Sequence, residues 1–337
     1  MKNPTAKIEE IKKLMPKIFK LLEESGSESL KNAKNHLRTL KLETPAAREA
    51  LERYAENWND TIHPALLALS YDAVADETAK VVDLQTVVLF LTAAMDIHDD
   101  VIDKSRTKGD KPTIYGKFGE DLAVLLGDAL LFEGLMMLQK FQSSTNPESY
   151  RAIMETVNDA FFEVGNAHLI ELQLKKKTNV NPKDILNVIE KKAAIFEAIC
   201  KIGAIVGKGS EKQIDALKTW GRTFGFLVML REEFIDMFEP EELMGRMKNE
   251  YLPIPIVYAF KDAKASTTVA RLSNFMVTED GIDNLIDMVY ANEKVKKLKE
   301  TMKARAKQAI DVVSSSNLKN KPILALSTLV MGTLEDL

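Results

Sequence analysis

Leu186-Asn-Val-Ile-Glu-Lys-Lys-Ala-Ala-Ile-Phe-Glu-Ala-Ile-Cys-Lys-Ile-Gly-Ala-Ile205 carries its apolar side chains at Leu186, Ile189, Ala193, Phe196, Ile199 and Ile202. Steps of three and four residues place these on one face of an α-helix, and Ile195 widens that face. Segments 47–58, 82–104, 117–141, 147–173, 210–237 and 291–313 follow the same rule. No segment alternates as a half-buried strand does, and no block of 20 to 50 residues repeats. The 15 glycines and 11 prolines gather at a few boundaries instead of recurring at strand-and-turn spacing. Breaks are expected at Ser25–Ser29, Asp103–Lys111, Ser143–Pro147, Thr178–Pro182, Gly207–Ser210, Glu239–Asn249 and Ser314–Lys321, and none has the length or bias of an inter-domain linker. The pattern predicts an all-α fold. It is read as one domain over residues 1–337, a large bundle of ten or more helices around a central cavity, with residues 1–45 as a helical N-terminal arm.

Composition narrows the function. The 337 residues are 45% hydrophobic and 28% charged, with 46 basic and 50 acidic side chains giving a net charge of −4. Such a chain can build a core, and its mildly acidic balance argues against a nucleic-acid partner. The lone cysteine excludes an internal disulfide and a Cys-rich zinc site. The start is charged and amphipathic, and no stretch reaches the roughly 18 apolar residues of a spanning helix. The expectation is therefore a soluble, cytoplasmic protein without a transmembrane segment. The four histidines, His36, His63, His98 and His168, show no paired metal spacing; His98 is read as orienting the neighbouring acids or as a core residue.

Those acids are the main chemical signal. Val87-Val-Leu-Phe-Leu-Thr-Ala-Ala-Met95 runs into Asp96-Ile-His-Asp-Asp-Val-Ile-Asp103, so Asp99 and Asp103 lie one helical turn apart on one face. Two carboxylates so placed repel unless a cation lies between them, and a hard cation such as Mg²⁺ accepts oxygen ligands and is often completed by a substrate phosphate. The plain alternative is a solvated acidic face. Phe224-Gly-Phe-Leu-Val-Met-Leu230 likewise leads into Glu232-Glu-Phe-Ile-Asp236. Two such elements facing each other across a bundle would share metals and bind a diphosphate.

On these residues the chain resembles the trans-isoprenyl diphosphate synthases, the polyprenyl synthetase family that includes farnesyl and geranylgeranyl diphosphate synthases. The resemblance spans roughly residues 50 to 260. Its most specific part is Ile97-His-Asp-Asp-Val-Ile-Asp103, followed by Lys111-Pro-Thr113, Phe118-Gly119 and Gly127-Asp-Ala-Leu-Leu131. Lys191-Lys-Ala-Ala-Ile-Phe-Glu197 and Trp220-Gly-Arg-Thr-Phe-Gly225 add to it. The resemblance implies an all-helical, dimeric, Mg²⁺-dependent transferase that ionises an allylic diphosphate and joins it head to tail to isopentenyl diphosphate. It implies Asp99, Asp100, Asp103 and Lys191 as catalytic residues, with Asp99, Asp103, Glu232 and Asp236 as metal ligands. It further implies that Arg106, Lys108, Lys191 and His63 contact substrate phosphate. Small residues at Ala93 and Ala94, with no aromatic plug among Val88, Leu91 and their neighbours, imply a product of C20 or longer unless Phe90 or Met95 closes the tunnel.

The departures fall on one half of the site. Where the family grips isopentenyl diphosphate with Gly-Lys-x-x-Arg-Pro, this chain has Asn59-Asp-Thr-Ile-His-Pro64. The paired arginines after the first motif are Lys108 and Gly109, Phe-Gln before the second is Val228-Met229, and the late Gly-Lys-x-Thr is Lys248-Asn-Glu-Tyr251. The second motif carries glutamates, with Arg231 beside them. A diphosphate bears about three negative charges and needs compensating cations. Three readings stay open: a prenyltransferase that recruits other basic residues, a weakly active or inactive subunit paired with a complete paralogue, and a cyclase that uses only an allylic diphosphate.

Overall fold

The computed structural model describes residues 4–75, 81–175, 180–260, 272 and 281–335, with side chains from residue 16 onward. The chain is all-α. Its helices are α1 (Pro4–Leu37), α2 (Pro45–Asn57), α3 (Ile62–Val74), α4 (Val82–Asp103), α5 (Ile114–Phe118), α6 (Glu120–Phe141), α7 (Pro147–Leu174) and α8 (Pro182–Lys192). They continue with α9 (Ala194–Val206), α10 (Glu211–Ile235), α11 (Pro240–Asn249), α12 (Ile254–Ala259), α13 (Gly281–Ala291), α14 (Glu293–Ser314) and α15 (Asn320–Gly332). Among the described residues no helix is long and apolar enough to cross a membrane.

Four sequence expectations are corrected. The break at Ser25–Ser29 does not occur: α1 runs straight through it, and the buried Ser29 hydroxyl donates to the Gly26 carbonyl at 2.8 Å, a local bond that a helix interior accommodates. The 117–141 segment is two helices, because Gly119 has φ 91°, a conformation natural to glycine, and ends α5 before α6 begins. The 186–205 pattern likewise divides at Ala193, where ψ flattens to −9°. Glu239–Asn249 is helical: Pro240 starts α11, Glu241 and Glu242 lie in its first turn, and Arg246 and Lys248 lie in its last, the charge order a helix dipole favours. The break at Asp103–Lys111 is a minimal hairpin in which Thr107–Lys108 pairs antiparallel with Lys111–Pro112 around Gly109. Thr178, at the start of another expected break, lies outside the described residues.

Two close crossings aim the acidic helix ends. α4 lies against α6 where Gly127 leaves no room for a side chain: a Cβ there would stand 2.5 Å from His98 Nε2. α10 crosses α9 at Gly221, where a Cβ would stand 2.5 Å from the Phe196 carbonyl oxygen. The main core gathers around Trp220, which is fully buried and stacked on Phe224 with centroids 4.9 Å apart. A second cluster, including Leu37, Ala50, Trp58, Phe90, Ile97 and Leu130, joins α1, α2, α4 and α6. A cavity of about 730 Å³ opens beside this second cluster, bordered by α2, α4, the hairpin, α7, α9 and α10.

Candidate active site

Both acidic motifs sit at helix C-termini, where the helix dipole already presents partial negative charge. Carboxylates there are held against their preference, and the structure supplies each group with cations. On α4, Lys104 adopts φ 59° and turns the chain into the hairpin, which returns Lys108 to the helix. The Lys108 ammonium lies 2.5 Å from Asp96 and 3.0 Å from Asp100. Burial pushes the Asp100 carboxyl up to about 7 despite that neighbour, while the two aspartates outweigh desolvation of Lys108 and hold it above the usual lysine range. Asp103 is engaged by Lys175 at 2.6 Å.

Asp99 lines the cavity together with His168 and Lys192. Its Oδ1 is 3.3 Å from His168 Nδ1 and 3.8 Å from Lys192 Nζ. Lys192 also lies 2.8 Å from Glu171, whose other oxygen accepts from the Tyr251 hydroxyl at 3.0 Å. Burial would raise Glu171, but hydrogen bonds from His168 and Lys192 prevail and lower it to about 2. Burial raises Asp99 against the pull of Lys192.

The second motif is closed by a guanidinium. Arg246, on α11, is almost wholly buried and reaches Glu233 at 2.7 Å, Asp236 at 2.5 Å and Glu250 at 3.3 Å, while its Nε donates to the Tyr251 carbonyl. The second Glu233 oxygen accepts from the Ile254 backbone N–H at 2.8 Å. Burial pushes both Asp236 and Glu250 up to about 7. Glu232 points elsewhere: its side chain is 56% exposed and only loosely approached by Arg231, at 3.9 Å.

The placements of the sequence-predicted residues follow. Asp99, Asp100, Lys108 and His63 line the cavity. Asp103 lies at the end of α4, tied to Lys175, outside the cavity lining. Of the adjacent Lys191 and Lys192, it is Lys192, the last residue of α8, that lines the cavity. Arg106 is exposed, over the Tyr115 ring, and does not line the cavity. His98 faces α6, 3.2 Å from Asp128, and does not orient the acids. His63 is tied through Nδ1 to Asp60 at 2.8 Å and packs on Phe196. Desolvation would lower His63, but Asp60 outweighs it and the imidazole is raised. Sequence reasoning missed His168, Glu171, Lys175, Lys192 and Arg246. The one sequence signal among them is His168 with Glu171, three apart on one face of α7.

A hard cation fits the first motif through Asp99, whose Oδ1 is buried with no hydrogen-bond partner and supplies an oxygen donor of the right class. It does not fit the second, because Glu233 and Asp236 are occupied by Arg246 and Glu232 is turned outward. Among the described residues no three ligating side chains gather as a metal cluster.

The raised carboxyls have a measurable consequence. Asp100, Asp236 and Glu250 at about 7 compare with about 4 in an unfolded chain, so the folded state binds more protons between those values. Their contribution to stability is complete below about pH 4 and is lost as pH rises through about 7. Glu171 acts in the opposite sense and loses its contribution as pH falls from about 4 toward about 2. The urea midpoint is expected to be higher at about pH 5 than at about pH 8, and Glu250→Gln should narrow the difference. A higher midpoint at the alkaline end would show that these carboxyls are not raised.

Comparison with known proteins places this geometry. A geranylgeranyl diphosphate synthase of Methanosarcina mazei is 27% identical over 57% of this chain, and the chain spans only 59% of that relative's length. Heptaprenyl diphosphate synthase component 2 of Bacillus subtilis is 24% identical over 74% of this chain and 72% of its own. The crystal structure of geranylgeranyl pyrophosphate synthetase from Pyrococcus horikoshii superposes with a TM-score of 0.81 at 21% identity, covering 96% of this chain and 99% of that one, and so shares the fold. Residues 45–291 match the polyprenyl synthetase family as a whole, and with that span, well over half its length, the chain belongs to the polyprenyl synthetase family.

Proposed function

We propose that this chain is a trans-prenyltransferase of isoprenoid biosynthesis. It ionises an allylic diphosphate at Asp99 and Lys192, releasing diphosphate, and joins the allylic carbon head to tail to isopentenyl diphosphate with loss of a proton to the departing diphosphate, giving a product of C20 or longer. The observation that carries the reading is the position of Asp99, His168 and Lys192 on a cavity of about 730 Å³ whose apolar border includes Ala93, Ile114, Phe196 and Val228. Asp99 and Asp103 are the residues that would hold Mg²⁺, which would supply positive charge to a departing diphosphate. Lys192 adds a fixed ammonium beside it: desolvation would lower this lysine, but Asp99 and Glu171 outweigh it and keep it protonated. The apolar walls keep water from the carbocation.

Two cations support the acceptor end. Arg53 and Lys111 line the same cavity as Asn59, Asp60 and His63 and have no ion-pair partner among the described residues, whereas Lys108 is spent on Asp96 and Asp100. They offer free charge where the usual clamp is missing. Product length is supported by α4, which brings the small Ala93 to the cavity while Phe90 turns into the second core cluster; Met95, the other side chain able to close the tunnel, lies on the cavity.

A second reading, a weakly active subunit that works beside a complete paralogue, is favoured by Arg246 filling the second motif and by an exposed apolar surface. Leu125, Phe132 and Met136 on α6, and Phe162, Leu169 and Leu172 on α7, are all exposed. A second chain, identical or paralogous, would cover them.

The test is mass spectrometry of products formed by the purified protein with Mg²⁺, isopentenyl diphosphate and each allylic diphosphate from C5 to C20. Elongation is expected. No product alone, but product on adding a paralogue, would replace the first reading by the second. A hydrocarbon or alcohol formed without isopentenyl diphosphate would mark a cyclase.

A further inference from the structure

Two groups on the active-site cavity are held from behind. His168 and Lys192 line it, whereas Glu171, which follows His168 by one turn of α7, is buried outside the lining. One Glu171 oxygen lies 2.8 Å from Lys192 Nζ and 3.2 Å from His168 Nδ1. Asp99 stands farther from that ammonium, at 3.8 Å. A lysine stem is flexible and costs free energy to hold in one place, so its shortest contact decides where its charge sits. For Lys192 that contact is Glu171.

A carboxylate turns about its own stem unless both oxygens are engaged. The second Glu171 oxygen accepts from the Tyr251 hydroxyl at 3.0 Å, which sets the plane of the group. Tyr251 is itself buried and held: its carbonyl accepts from Arg246 Nε at 3.1 Å, and the Arg246 guanidinium stands 5.1 Å from the centre of its ring. Arg246 is fixed in turn by Glu233 and Asp236 of the second motif and by Glu250. A buried strap therefore runs from the second motif through Arg246, Tyr251 and Glu171 to Lys192. It crosses from α10 and α11 to α7 and α8.

We propose that Tyr251 and Glu171 are positioning residues: Tyr251 fixes the Glu171 carboxylate, and Glu171 holds the Lys192 ammonium at the point on the cavity where the allylic diphosphate binds. The proposal rests on the prenyl-transfer reading and adds to it how that charge is kept in place. Neither Tyr251 nor Glu171 lines the cavity, so each acts through the lysine in front of it. The second motif, closed to a cation by Arg246, takes part as the far anchor of the strap.

The experiment compares the parent with Tyr251→Phe, which removes the hydroxyl and keeps the ring, and with Glu171→Gln, which keeps the shape of the side chain in case the first fails to fold. Calorimetry with a non-ionisable C15 thiolodiphosphate analogue reads the affinity, which is expected to fall about tenfold, the size of one hydrogen bond to a charged group. KM for isopentenyl diphosphate is expected to stay within about twofold, a split that general loosening of the fold would not give. Tyr251→Phe made in a Lys192→Met chain should cost less than about twofold, because the group it positions is gone. The same cost in that background, or an unchanged affinity in the folded single variants, would overturn the proposal. Acetylation of Lys192, followed by peptide mass spectrometry, needs no substrate. Its rate is expected to rise several-fold in Tyr251→Phe while that of Lys191 stays, and an unchanged Lys192 rate would overturn the strap by itself. A parent that binds no analogue and makes no product would overturn the prenyl-transfer reading, and the labelling would still decide the strap.

Discussion

Asp99→Asn is expected to remove prenyl transfer while leaving the protein at least as stable as its parent. Asp99 lies on the cavity with Asp96 and Asp100, and its Oδ1 is buried without a hydrogen-bond partner. An amide at that position cannot hold a hard cation as a carboxylate does, and the loss of one group that stabilises transition-state charge costs on the order of 10²-fold or more in kcat/KM. Stability moves the other way. Burial raises the Asp99 carboxyl against the pull of Lys192, so ionising it costs more in the folded chain than in the unfolded one, and asparagine removes that cost. Turnover by mass spectrometry and thermal unfolding at about pH 7.5 check the two halves. A variant that loses both activity and several degrees in Tm would assign Asp99 to the architecture instead of the chemistry.

The second large effect concerns Arg246. Its replacement by methionine is expected to cost about 3–5 kcal/mol, because it strands Glu233 and Asp236 as buried carboxylates with no counter-charge. Urea denaturation measures this directly. Adding Glu233→Gln and Asp236→Asn to the same chain should recover a large part of the loss, since the three groups act as one network and their effects do not add. Magnesium gives a further check. Freed from the guanidinium, the two carboxylates acquire oxygen-donor character toward a cation, so Mg²⁺ should stabilise Arg246→Met more than it stabilises the parent. Equal stabilisation of both proteins would mean that the second motif does not admit a cation even when it is emptied.

The helices were legible because burying one face is a repeated, local requirement, and segments such as 147–173 and 210–237 appear close to their expected ends. What was misread is equally physical. Charge was taken as a sign of broken helix at Glu239–Asn249, yet charges ordered along the dipole build α11. At 186–205 the apolar face is continuous while the backbone is not, since periodicity reports burial and is blind to one flattened ψ at Ala193. The first acidic motif was visible because its spacing is short-range. Its neutralising partners were not, because Lys175 and Lys192 come from other helices, 72 positions from Asp103 and on α8, and no local pattern in the chain announces them. Arg246 is the clearest case: it stands ten positions from Asp236, and only the turn into α11 brings it inside.

The apolar residues left uncovered on α6 and α7 would make the energetics of this protein a matter of mass action once a second chain covered them. If a second chain covers them, part of the folding free energy is intermolecular, and the unfolding midpoint must climb with protein concentration instead of being a constant of the sequence. Dilution would then do what a destabilising substitution does. A charge placed at Phe132 or Phe162, each 69% exposed and therefore idle in the lone chain, would lower the midpoint most where the protein is most concentrated.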